Sequence, residues 1–157
     1  MPVKLRDALR YGLICTSTAL SKSVLAATCT LSATALSFGN YSPLSANSST
    51  GTIKTTCLSS TLLTDSYIIA LSSGAGSFTS RHFAGSAPYF TYQMYLDPAH
   101  TQVWGDGTGT TMTKSDTLVL LPSVQQQHSY TIYGKIPANQ YVAPGSYTDT
   151  ITVTLTY

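Results

Sequence analysis

The chain has 157 residues, only 9% of them charged, and it contains no glutamate. This length accommodates one domain with a sizeable core, and a content of 43% hydrophobic residues is too apolar for a disordered chain. Abundant Thr, Ser and Tyr with few charges favour sheet over helix.

The first element is a leader. Lys4, Arg6 and Arg10 precede an apolar run over residues 11–20, and Ala26 and Ala27 then precede Thr28. This pattern predicts a secretory signal peptide over residues 1–27, cleaved after Ala26 or Ala27, with cleavage after Ala19 as the alternative. The run falls short of the roughly 20 apolar residues a membrane span needs, so no transmembrane segment is expected. Removing the leader sets Lys54, Arg81, Lys114 and Lys135 against five Asp, for a net charge near −1. The basic balance thus belongs to the leader, and no nucleic-acid surface is expected.

Cys15 falls in the leader, leaving Cys29 and Cys57 in the domain of residues 28–157. In an exported chain such a pair is most simply one disulfide, with two buried free thiols as the alternative. A lipid-bearing Cys29 is disfavoured, because Thr28 stands where a lipoprotein signal wants Gly or Ala. Closing the loop would contribute about 3–4 kcal/mol in the chain-entropy model.

Beyond the leader no helical period of useful length appears. Strands are expected at residues 28–33, 36–38, 51–57, 67–72, 89–96, 117–121, 129–135 and 146–157. Turn chemistry separates them at residues 39–40, 47–51, 73–76, 97–98, 105–109, 137–140 and 144–145. Between Ala35 and Leu36 the apolar phase slips by one, as at a bulge or a switch between sheets. Short strands at this spacing predict an all-β sandwich in one domain. The last segment alternates strictly, with Ile151, Val153, Leu155 and Tyr157 on one face and Thr on the other. With nothing after it to pair with one of its edges, it is expected to leave an open edge, a template for another chain.

Residues that carry chemistry are sparse. His82, His100 and His128 lack metal-ligand spacing, and no G-x-S-x-G elbow accompanies the serines, so neither an enzyme nor a bound cofactor or metal is expected. Trp104-Gly105-Asp106-Gly107-Thr108-Gly109 is a candidate ligand loop, with the Trp104 indole as a stacking platform for a sugar and Asp106 as acceptor. Its structural reading, a core-edge Trp before a Gly-rich hairpin turn, is the favoured one. The tyrosines read as half-buried strand residues before they read as an adhesive patch. Arg81 is either a paired buried charge or an exposed one.

Six blocks in order, Cys29-Thr30-Leu31-Ser32-Ala33, Phe38-Gly39-Asn40-Tyr41-Ser42-Pro43, Tyr92-Gln93-Met94-Tyr95-Leu96-Asp97, Val103-Trp104-Gly105-Asp106-Gly107, Tyr133-Gly134-Lys135-Ile136-Pro137-Ala138 and Gly145-Ser146-Tyr147-Thr148-Asp149-Thr150, resemble the spore coat protein U domain family. That family includes subunits of archaic, Csu-type chaperone–usher pili and a secreted spore coat protein. The resemblance implies an incomplete immunoglobulin-like β-sandwich that lacks its final strand and is completed by donor-strand complementation. It implies a structural or adhesive pilus subunit, exported through the periplasm to the cell surface, with a periplasmic chaperone, an outer-membrane usher and other pilins as partners. Ile151, Val153, Leu155 and Tyr157 would then line one side of the acceptor groove. A secreted coat protein and a carbohydrate-binding tip lectin are the rival expectations. Family stalk subunits carry a donor extension before the first cysteine, whereas cleavage after Ala26 or Ala27 would leave almost none. That departure would fit a tip position.

Overall fold

The computed structural model describes residues 27–85 and 88–157. Apart from Ala27, the expected leader lies outside them. Eight strands form: β1 (Thr28–Thr34), β2 (Asn47–Leu58), β3 (Leu63–Leu71), β4 (Arg81–His82), β5 (Thr91–Tyr95), β6 (Lys114–Leu120), β7 (Gln126–Ile136) and β8 (Val153–Thr156). No helix occurs among the described residues. One sheet has the order β1-β2-β7-β5-β4 and the other β6-β3-β8, with every strand pairing antiparallel.

The period of two sets which residues fill the space between the sheets. β2 contributes Ile53, Thr55 and Cys57, and β7 contributes Ile132 and Ile136. Facing them are Tyr67, Ile69 and Leu71 of β3 and Leu118 and Leu120 of β6. Cys29 and Cys57 are direct cross-strand partners, 4.1 Å apart at Cα, and they form a disulfide. One polar chain also crosses the core. Thr55 Oγ1 and Tyr67 Oη lie 3.0 Å apart, Tyr67 Oη meets Tyr130 Oη, and Tyr130 donates to Asp116 Oδ2 at 2.6 Å.

Three expectations change. Residues 47–51 are not a turn but the start of β2, paired from Asn47↔Ile136 to Gly51↔Ile132. A long ladder with β7 outweighs the local turn preference of Asn and Ser, and the chain reverses earlier, where Ser45 N–H donates to Ser42 O. Residues 36–38 are extended but form no strand. The Ser37 and Phe38 carbonyls are taken by side chains of β2, Ser49 Oγ donating to Ser37 O and Asn47 Nδ2 to Phe38 O at 2.7 Å, so side-chain bonds stand in for a ladder there. Of the expected strand at residues 146–157, only Val153–Thr156 pairs in a sheet.

The phase slip at Ala35-Leu36 has a packing cause. It turns Leu36 and Phe38 onto the sheet above Gly51 and Gly134, where a Cβ at Gly51 would lie 3.6 Å from Leu36 Cδ1 and one at Gly134 2.8 Å from Phe38 Cζ. The two glycines leave room for these side chains to approach the backbone.

Candidate functional site

Where the two sheets part, a groove of about 1270 Å³ runs between residues 33–43 on one edge and residues 140–153 on the other. Its floor includes Leu71, Phe83, Phe90, Tyr92, Met94, Ile132 and Ile136. Small-molecule pockets usually measure about 300–1,000 Å³. A long apolar trough of this size suits an extended chain better than a compact ligand.

Both edges are bonded on their outer sides. Ala84 N–H donates to Thr148 O at 2.9 Å and Ser72 N–H to Thr152 O at 3.0 Å, while Thr152 N–H donates to Ser72 Oγ at 2.9 Å. Backbone groups alternate sides along an extended chain. Those of Asp149 and Ile151 therefore turn toward the groove. Across it, the side chains of Ser49 and Asn47 hold residues 37 and 38 from the β2 side.

Aromatic rings build one end of the floor. Phe83 lies 5.0 Å from Phe90 and 4.8 Å from Tyr92, Phe90 lies 5.1 Å from Tyr147, and Tyr41 lies 4.9 Å from Phe90. Tyr41 is fixed by donating to Pro137 O at 2.8 Å. The other end is aliphatic, with Leu36, Leu71, Ile132, Ile151 and Val153.

Of the four residues expected on the groove, Ile151 and Val153 line it. Leu155 and Tyr157 lie beyond its lining residues. At their level the sandwich closes: Cys29 and Leu31 pack against the core cluster, as does Leu155, and Cys29 N–H donates to Tyr157 Oη at 3.3 Å. The other edge, with Leu36, Phe38 and Tyr41, was not foreseen as part of the site. Its sequence signal was the phase slip.

In the candidate ligand loop, Trp104 and Asp106 are both engaged within the fold. Trp104 is fully buried and its indole N–H donates to Ile69 O at 3.1 Å, so no ring face is free for a sugar. Asp106 is exposed and caps its own turn, accepting from Thr108 N–H at 2.9 Å and Thr108 Oγ1 at 2.6 Å; these bonds hold its carboxyl below the usual carboxylate range. The histidines stand apart: His82 stacks on Tyr89, His100 meets Tyr95 edge-on, and His128 Nδ1 lies 2.9 Å from Asp116 Oδ2. Among the described residues no group of three or more His, Cys, Asp or Glu could hold a metal ion.

Arg81, left open by the sequence, is fully buried. Its guanidinium donates to Ser72 O and Trp104 O, both at 2.8 Å, and to Gln93 Oε1. Burial lowers its pKa, and the nearby Tyr92, Asp149 and Asp106 act in the opposite sense.

The family model of the Spore Coat Protein U domain matches residues 15–154. The chain belongs to this family. Protein U of Myxococcus xanthus is 30% identical over 134 residues, which cover 78% of this chain and 71% of that protein. Among solved structures, the chain is similar to one from the CsuC–CsuE chaperone–tip adhesion subunit pre-assembly complex of the archaic chaperone–usher Csu pili of Acinetobacter baumannii. The TM-score is 0.53 at 19% identity, over 84% of this chain and 40% of that one. The chain thus spans less than half the length of that solved chain, and the likeness supports the sandwich fold of this family member.

Proposed function

We propose that the chain is a structural or adhesive subunit of an archaic chaperone–usher pilus and that its groove accepts a β-strand from another chain. The observation that carries this reading is the pair of edges, each bonded from one side, flanking an apolar trough. Strand addition would complete the ladder and bury Leu36, Phe38, Ile151 and Val153. A periplasmic chaperone would fill the groove first and a neighbouring subunit's strand would replace it, with an outer-membrane usher passing the assembled chain to the cell surface. The family, and the chaperone-bound state of the similar solved structure, support these partners. The role is one of assembly rather than catalysis.

A secreted coat protein is the second reading, favoured by the higher identity to Protein U than to the solved adhesion subunit. Coexpression in a periplasm with a chaperone encoded beside the gene separates the two. The pilus reading expects a soluble one-to-one complex that Val153→Asp abolishes, because the substitution buries an unpaired charge. A soluble, stable monomer that gains nothing from the chaperone would overturn it. N-terminal sequencing of the exported chain tests the proposed division at residue 27, and with it whether a donor segment precedes Cys29.

A further inference from the structure

The groove's far edge is tethered by a web of side chains that crosses between the sheets. We propose that Tyr92 and Asp149, with Ser72 and the buried Arg81, are positioning residues that keep residues 148–152 extended and bonded from one side only, ready for strand addition. This rests on the acceptor reading above.

β4 is only two residues long, yet it pairs Arg81 with Tyr92. The two side chains then reach separate anchor points on the same edge. Arg81 Nη2 donates to Ser72 O at 2.8 Å, and Ser72 in turn holds both backbone groups of Thr152. Tyr92 Oη donates to Asp149 Oδ2 at 2.6 Å, while Asp149 Oδ1 accepts from Ala75 N–H at 3.1 Å. Burial and the adjoining carboxylate push the Tyr92 phenol up, so it stays a proton donor at every ordinary pH. Arg81 and Tyr92 belong to the five-stranded sheet, and Ser72 directly follows β3 of the other. One cross-strand pair therefore fixes the edge at two points, Asp149 and Thr152, three residues apart.

The geometry explains why a carboxylate stands beside an apolar groove. Asp149 is half-buried and its oxygens are spent on Tyr92 in the groove floor, Ala75 and Thr150. Strand addition needs an edge that neither collapses into the trough nor pairs elsewhere. Ordering that edge beforehand removes part of the entropy cost of binding.

The test uses the disulfide-bonded chain and a synthetic peptide alternating Val and Thr, flanked by Lys for solubility. Tyr92→Phe keeps the ring and removes only the donor, Asp149→Asn keeps the shape, and Ser72→Ala provides a milder variant should either fail to fold. Each is expected to weaken peptide capture by about tenfold or more and to speed amide exchange at Thr150 and Thr152. The Tyr92→Phe/Asp149→Asn double variant is expected to lose no more than the worse single, since both act through one bond. Thr55→Val, which breaks the remote Thr55–Tyr67 bond, is expected to lower the melting temperature without affecting capture. If wild type captures the peptide and these variants capture it equally well, or lose affinity only in step with melting as Thr55→Val does, the positioning role is overturned. If wild type captures nothing, the acceptor reading falls and takes the positioning role with it.

Discussion

Gly134→Ala adds one methyl group at the tightest point of the groove's near edge. A Cβ there would overlap Leu36 Cδ2 and stand 2.8 Å from Phe38 Cζ and 3.1 Å from Leu36 Cγ, whereas carbon atoms pack best at about 3.5–4.0 Å. Overpacking a well-filled core costs about 1–3 kcal/mol, and Ala in place of Gly in a strand returns about 0.5–1 kcal/mol. The atoms met are side-chain ends with an empty trough beside them, so the net loss should lie near the low end, about 1 kcal/mol. Binding should suffer more than stability, because Leu36 and Phe38 escape the overlap by moving into the space an entering strand needs. Urea unfolding reads the first effect and capture of the Val/Thr peptide the second. In a Leu36→Ala background the same substitution should cost much less, a non-additivity that marks direct contact. Equal costs in both backgrounds, with peptide capture unchanged, would refute the placement of Leu36 over Gly134.

Cys57→Ser should lower stability by about 3–4 kcal/mol in the chain-entropy model, and non-reducing peptide mapping of the wild type should recover Cys29 linked to Cys57. Asp116 is held down to about 2, first by the Tyr130 hydroxyl and then by His128, with burial opposing. A depressed folded pKa stabilises above the unfolded value and loses that contribution as pH falls, so wild-type stability should drop between the ordinary value of 3.8 and about 2. Asp116→Asn should flatten that part of the profile in pH-dependent urea titrations, and an unchanged profile would count against the Tyr130–Asp116 bond. Trp104→Phe should cost about 1–3 kcal/mol by leaving the buried Ile69 carbonyl without its donor.

The sandwich was legible because a period of two and turn chemistry are local signals. Ile53, Ile69 and Ile132 fall on the buried faces of β2, β3 and β7, as alternation requires. The Cys29–Cys57 pair was legible from export context and cysteine count. Strand ends were not, because pairing decides them: Asn47 to Thr50 looks like a turn and becomes strand only beside β7. The groove was half legible. Ile151 and Val153 announce an apolar edge, but closure at Leu155 and Tyr157 depends on where β1 packs, which no local pattern encodes. Arg81 was visible as one of four cations after the leader, yet its partners are mostly carbonyl oxygens of Ser72 and Trp104, and a carbonyl acceptor has no signature in the sequence. β4, at two residues, is too short for any periodicity to reveal.

Amide hydrogen exchange at Asp149 and Ile151, in the disulfide-bonded chain alone and with the Val/Thr peptide, reads the open edge most directly. The acceptor groove predicts fast exchange at both positions in the free chain and strong protection once the peptide is bound, with residues 33–38 gaining protection in parallel. Protection of Asp149 and Ile151 already in the free chain, unchanged by peptide, would show that the edge is paired within the molecule and would contradict the assembly role.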